Sequence, residues 1–198
     1  MKRRRRKPDY YYLKAKREGY RSRAIYKLEQ IDRKYRVFDG VKRVLDLCCA
    51  PGGWLQYSLK RVGKDGVVVG VDIVDISPLP GVVFIKGDIT DDSTLRKIMD
   101  ACPEKYDLIL SDCSPNVSGV WCVDHARQVF LAQRSLEIAR SVLRVGGNFV
   151  VKVFQGDMFE DFLKNVKELF SFVKPYKPEA SRKRSAEIYI IAKRFRNP

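Results

Sequence analysis

The chain has 198 residues, 45% hydrophobic and 32% charged, with a formal net charge of +15 at pH 7. That length and apolar content fit one α/β-sized domain with a real core and exclude a disordered chain. No apolar run approaches the ~18 residues of a membrane span, and one histidine with five cysteines lacking any C-x-x-C pair excludes a multi-histidine metal site and points to neither a zinc site nor a disulfide framework.

The charge is concentrated at the two ends. Residues 1–38 hold 15 Lys/Arg against 4 Asp/Glu, residues 171–198 hold 8 against 2, and the middle is nearly neutral. The Lys2–Lys7 run reads as a solvated charged tail. No apolar signal segment follows it, so a cytoplasmic protein is expected. From Tyr10 to Phe38 the charges interleave with Tyr10, Tyr11, Tyr12, Tyr20, Tyr26 and Tyr35. Basic groups attract phosphates and aromatic rings stack on bases, so nucleic acid is the favoured partner. A membrane surface would require a broad apolar face, which this segment lacks. The extension predicts helices: in "SRAIYKLEQIDRKYRVF" Ile25, Leu28, Ile31 and Tyr35 share one face, with Ser22 as candidate cap.

Past Asp39-Gly40 strands and helices alternate. "VKRVLDLC" predicts a strand, Trp54 to Arg61 a helix stopped by Gly63, and "GVVVGVDIVD" and "VVFIKGDIT" two further strands. A helix from Asp91 opens on acidic residues, as helix N-termini prefer; "YDLILSD" is the next strand. A long helix runs from Asp124 to a glycine stop at Gly146-Gly147, with His125 read as a surface residue at its start and most of the cysteines as small core residues. "NFVVKVF", the helix "MFEDFLKNVKELF", "SFVKPYKP" and "AEIYIIAKRF" complete the chain. The alternation implies a largely parallel sheet covered on both faces. The last two strands are too close for a helical crossover and should pair antiparallel. A basic extension (1–38) and an α/β domain (39–198) together make one compact body, expected to be a monomer.

In such sheets ligands sit at the carboxyl ends of the strands, near the point where strand order reverses. This sequence puts Asp46, Asp72, Asp88 and Asp112 there, with Lys152 near the end of the fifth strand and the small-residue loop "CCAPGG" after the first. The dinucleotide fingerprint G-x-G-x-x-G is absent. Asp72 lies 19 residues beyond Gly53, about the offset at which an acidic residue reaches ribose hydroxyls. A nucleoside with a cationic, non-phosphorylated tail suits this acidic edge, and S-adenosylmethionine is such a ligand. The small residues of the loop would let the backbone approach its methionine portion.

The motifs "EGYRSRAIYKL", "DLCCAPGGW", "VGVDI", "GDI", "SDCSPNVSG", "VKVFQG" and "RKRSAEIYIIA" occur in an order and spacing that resemble the FtsJ/RrmJ (RlmE) family of RNA ribose 2′-O-methyltransferases, over residues 10–195. The resemblance implies a Rossmann-like, seven-stranded, mostly parallel S-adenosylmethionine-dependent methyltransferase fold with an antiparallel last strand. It implies no metal. It implies a catalytic tetrad at Lys27, Asp112, Lys152 and Glu187, and cofactor contacts at Gly52, Trp54, Asp72, Asp88 and Asp112. The compact chain resembles the branch acting on a uridine of large-subunit ribosomal RNA, with tRNA the alternative substrate and a non-catalytic RNA-binding assembly factor a further one. One departure is Cys48-Cys49, where relatives carry Gly-Ala or similar small residues.

The residues support the tetrad on their own terms. A ribose hydroxyl must lose its proton as it attacks a methyl group, and a lysine serves as base only when neutral. A second lysine nearby, here Lys27, would help by repulsion. Asp112 would orient Lys152, and Glu187 would hold Lys27 or the ribose. A lone lysine inside the apolar "FVVKVF" is costly without a role. Base methylation is the competing reaction. Its amine-directed form expects D/N-P-P-Y/F where this chain has "DCSPN", and its carbon-directed form needs a nucleophilic cysteine, for which Cys113 is the one candidate. Arg21 and Arg23, flanking the start of the helix that carries Lys27, are the candidate RNA-docking residues.

Overall fold

The structure, a computed structural model, describes residues 9–196; the Lys2–Lys7 run lies outside them. Seven strands form one sheet: β1 (Arg43–Leu47), β2 (Val67–Asp72), β3 (Val82–Lys86), β4 (Tyr106–Ser111), β5 (Leu143–Phe154), β6 (Phe170–Tyr176) and β7 (Glu187–Phe195). Their order is β3-β2-β1-β4-β5-β7-β6. The first five run parallel, and β7 lies antiparallel between β5 and β6.

The inner parallel strands β1, β2 and β4 are buried on both faces, while the edge strand β3 is half-exposed. Alternate residues divide between two cores. Leu45, Leu47, Val69, Val71, Ile109 and Val151 face α4 (Asp92–Ala101), α5 (Trp121–Val142) and α6 (Phe159–Leu169). Val44, Val68, Leu108, Leu110, Val150 and Tyr189 face α2 (Ile25–Tyr35) and α3 (Gly53–Val62). Strand order reverses between β1 and β4, whose last residues Leu47 and Ser111 are paired. Everything chemically distinctive follows those two ends.

The extension packs onto the domain. α1 (Tyr10–Arg17) is capped by Asp9, whose carboxylate accepts the Tyr11 N–H at 3.0 Å. Ala15, Ile25 and Tyr26 form a small core with Ala180. Gln30 accepts the Ala180 N–H at 3.0 Å, and Lys193 donates to the Tyr35 carbonyl at 2.9 Å. Among the described residues, the basic segments near the two ends of the sequence therefore form one flank.

Several expectations need correction. The helix predicted from Asp124 starts at Trp121 and ends at Val142. The glycine pair meant to stop it lies within β5, where residues between Leu143 and Asn148 loop out of register with β4 and Gly146 takes φ 79°. Ser22 accepts the Ala24 N–H at 3.2 Å ahead of α2, but the helix cap itself is Ala24, without a side-chain bond. Cys48 and Cys113 form a disulfide, although 65 residues separate them. No spacing motif reveals it, because the pair is made by topology: each cysteine lies one or two residues past paired ends of β1 and β4. His125 is buried, not a surface residue. No helix among the described residues is long and apolar enough to cross a membrane.

Candidate active site

The loop after β1 makes its turn with Cys48 at φ 58° and Gly52 at φ 105°, the latter as N-cap of α3. A Cβ on Gly52 would lie 3.0 Å from the Arg21 guanidinium, and one on Gly53 2.6 Å from the Ser22 hydroxyl. The room the glycines leave is filled by the Arg21–Ser22 segment of the chain itself. Arg21 donates to the carbonyls of Ser77 (2.7 Å), Pro78 (2.8 Å) and Pro51 (3.5 Å), tying the loops after β1 and β2 together. The expected RNA-docking role of Arg21 thus meets a guanidinium already bound to three carbonyls.

Beside this loop lies a cavity of about 360 Å³, walled by Cys48, Asp72, Asp88, Asp112 and Asn116 among others. Asp72 holds its shape: its carboxylate accepts the Ala50 N–H at 2.8 Å and the Val74 N–H at 2.9 Å. Asp88 is exposed and accepts from the Thr90 N–H and hydroxyl, both at 2.8 Å. A smaller adjoining hollow is lined by Asp46, Gly53, Trp54 and Asp112. Gly52 lines neither space; its part is the turn. Trp54 donates its indole N–H to the Ala24 carbonyl at 2.8 Å.

Asp46 tests what fits here. It is 1% exposed, and its Oδ2 has no hydrogen-bond partner. Burial pushes its carboxyl well above the usual range, and the charges of Asp112 and Asp72 push the same way. Asp72, Asp88 and Asp112 line the larger space and Asp46, with its orphaned oxygen, joins Asp112 on the smaller one; carboxylates on two adjoining hollows match a cationic ligand. S-adenosylmethionine, with its sulfonium and ammonium groups, fits that donor set.

The tetrad residues converge at the same edge. Lys152, 5% exposed, donates to the Asp112 carbonyl at 2.8 Å and lies 3.3 Å from its carboxylate. Lys27 lies 2.8 Å from Glu187. Each ammonium therefore has its own carboxylate. The two pairs are joined through Tyr189. Its hydroxyl donates to Asp112 at 2.6 Å and accepts from Lys27 at 3.1 Å. Burial pushes the Tyr189 phenol well above its usual range, with Asp112 and Glu187 adding to the effect. Burial alone would also raise Asp112, but Lys152, Lys27 and the Tyr189 hydroxyl outweigh it and hold that carboxyl below the usual range.

Two positioning residues escaped the sequence reading. Tyr189 sits two residues after Glu187 on β7, so strand alternation puts both on the face that carries Lys152. Gln128 is fully buried on α5. β4 ends opposite Val151, and Gln128 supplies the missing bonds beyond it, donating to the Lys152 carbonyl at 2.8 Å and accepting the Phe154 N–H at 2.7 Å. Its only sequence signal is a polar residue on the buried side of a helix. His125 accepts the Met158 N–H at 3.2 Å, and a Cβ on Gly156 would come within 2.7 Å of its ring. Arg23 pairs with Asp9 and the Ala180 carbonyl. It also lines, with Lys27, Arg182, Ser185 and Glu187, a hollow of about 190 Å³ next to the tetrad.

The expected stacking tyrosines are largely used internally: Tyr11 and Tyr20 pack on Tyr26 at 5.4 and 6.1 Å, and Tyr35 on Tyr176 at 5.4 Å. Tyr10 and Tyr12 alone of the six are well exposed.

Residues 20–195 match the FtsJ-like methyltransferase family. The chain is 54% identical over 187 residues to the ribosomal RNA large subunit methyltransferase E of Methanothrix thermoacetophila, covering 94% of this chain and 72% of that one. It is 52% identical over 188 residues to the protein of the same name from Archaeoglobus fulgidus, covering 95% and 96%. A solved Plasmodium falciparum structure described as a ribosomal RNA methyltransferase superposes with a TM-score of 0.80 at 31% identity, over 89% of this chain and 98% of that one. Human methyltransferase-like protein 13 superposes at 0.57 over 85% and 79% of the two chains; at 17% identity that likeness speaks for the fold alone.

Proposed function

The chain belongs to the FtsJ-like methyltransferase family, and we propose that it methylates a ribose 2′-hydroxyl of RNA, at a uridine of large-subunit ribosomal RNA. The names of the relatives support the RNA. The hydroxyl as acceptor rests on one observation: two lysine–carboxylate pairs, joined by a buried tyrosine, border a cavity with acidic walls.

S-adenosylmethionine, the methyl donor of this enzyme, supplies when bound an electrophilic methyl group on a positively charged sulfur. Asp46, Asp72, Asp88 and Asp112 would hold it. Lys152 suits the task of taking the hydroxyl proton. A neutral amine has two N–H bonds, and Asp112 offers two acceptors, its carbonyl and its carboxylate. The lone pair then remains for the hydroxyl. Asp112, held ionised by its neighbours, keeps Lys152 oriented before the transfer and stabilises its ammonium afterwards. The Lys27–Glu187 pair offers a donor and an acceptor to the ribose. Base methylation through a cysteine finds no support, since Cys113 is bonded to Cys48.

The test is transfer of labelled methyl to large-subunit RNA followed by alkaline hydrolysis. A 2′-O-methyl group blocks cleavage of its 3′ phosphodiester, so label is expected in alkali-resistant dinucleotides. Label released in mononucleotides would place the methyl on a base and overturn the proposal.

A further inference from the structure

The aromatic group at the start of α5 has no part in the machinery above. Trp121 stacks on His125 (centroids 5.4 Å apart, planes 19°) and on Phe154 (6.2 Å, 14°). It is nevertheless 51% exposed. Two rings stack on it, yet half of the residue is open to solvent, so much aromatic surface of the indole stays accessible. His125 is locked beneath by the Met158 N–H and by the close approach of Gly156, so the support is rigid.

The location gives the open surface its meaning. Phe154 pairs across the sheet with Glu187, and Lys152 with Tyr189, so all four side chains share one face of the β5–β7 ladder at its end. One residue further, the Gln155 N–H is bonded to the Ala186 carbonyl at 2.9 Å, which holds the 182–186 loop against this corner. That loop carries Arg182, Lys183 and Arg184, all exposed. On the other side the chain entering Trp121 comes from Asn116, on the wall of the cofactor cavity. The indole thus lies between the cofactor cavity and a basic loop, beside Glu187.

We propose that Trp121 is a stacking shelf for an unpaired nucleobase of the substrate strand, in the stretch that runs past the reacting ribose. A rigid, open aromatic surface next to a row of cations is the arrangement that holds single-stranded nucleic acid, the cations taking the phosphates and the ring the base. The inference rests on the reading of RNA as substrate and adds a contact that fixes how the strand enters. A peptide partner fits less well, because the loop beside the shelf presents three consecutive exposed cations, the sign that a phosphate backbone neutralises.

The experiment uses the full chain, a short unstructured oligoribonucleotide, and the same strand carrying one abasic position at each site in turn. Trp121→Ala should bind the intact strand roughly 5- to 150-fold more weakly, the measured span for one base–aromatic stack. Trp121→Phe should recover most of that loss. One abasic strand should bind wild type as weakly as the intact strand binds Trp121→Ala, and the two changes together should cost no more than either alone. The other tryptophan, Trp54, is 3% exposed, so acrylamide quenching reports on Trp121, and RNA should protect it. Unchanged affinity for S-adenosylhomocysteine shows that each variant is folded. Wild type that binds RNA while Trp121→Ala binds it equally well overturns the shelf alone. Wild type that neither binds nor methylates RNA overturns the reading beneath it, and the shelf with it.

Discussion

Tyr189 is where the site is most sensitive to a single atom. Its hydroxyl serves two charged groups at once, donating to Asp112 and accepting from Lys27. Tyr189→Phe keeps the ring, which packs 5.8 Å from Trp54, and removes only that oxygen. A hydrogen bond to a charged group is worth ~1.5–3 kcal/mol, so single-turnover methyl transfer should fall about tenfold or more. Lys152→Ala should do worse, by at least ~100-fold, as loss of a general base does. If the phenylalanine variant keeps the wild-type rate, Tyr189 is packing and the two ion pairs act independently. Asp46 makes a different prediction. Its carboxyl is raised in the folded protein, so its contribution to stability is full below the unfolded carboxyl value of about 3.9 and is lost as pH rises through the higher folded value. Asp46→Asn should therefore raise the melting temperature of the cofactor-free protein at pH 7, with the gain vanishing as pH falls toward 4. The same change should weaken S-adenosylmethionine binding, because a cation loses its partner. A variant no more stable at pH 7 would show that Asp46 is not the strained group its burial implies.

At the scale of elements, the loop after β1 is built from outside as much as from within. Arg21 reaches from the α1–α2 connection to three carbonyls on two loops. Arg21→Ala should loosen both, and binding of S-adenosylhomocysteine should weaken about tenfold, the worth of one charge-assisted hydrogen bond. Calorimetry settles it; equal affinity would mean the loops hold their shape unaided. The sequence shows Arg21 only as one more charge in a basic segment, and reading it as an RNA contact follows from that. The strands and helices themselves are legible, because buried β-branched runs such as Val67–Asp72 alternate with amphipathic stretches. Asp72 and Asp112 are legible too, since strand ends in a parallel sheet point to one edge. What escapes is whatever is made by contact between distant segments. The Cys48–Cys113 bond, the Gln128 bridge to β5 and the Tyr189 link each need the fold before they exist. The packing of Tyr11 and Tyr20 escapes for the same reason: composition cannot tell a ring that faces solvent from one that faces Tyr26.

For the whole molecule the decisive fact is that two basic segments far apart in sequence share one flank. α2 packs on the segment around Ala180, and Arg23 and Arg182 meet on the hollow beside Lys27 and Glu187. Burial lowers the Arg23 pKa and Arg182 adds to that, while Glu187 opposes it. The acidic cavity lies on the other side of the tetrad. The protein therefore separates its fields: carboxylates where a cationic cofactor fits, arginines and lysines where a polyanion would lie, and the paired lysines and carboxylates between them. This division predicts independent behaviour of the two ligands. Replacing Arg182, Lys183 and Arg184 together by alanine should weaken RNA binding and flatten its salt dependence. Each lost phosphate contact removes about 0.7 from the log–log slope on a single strand, so the slope should drop by about 2. Affinity for S-adenosylhomocysteine should stay within twofold or so, since none of the three lines the acidic cavity. The measurement is a binding titration at several salt concentrations with calorimetry on the same variant. An unchanged slope would move the RNA off this flank and leave the basic ends without a polyanion to neutralise.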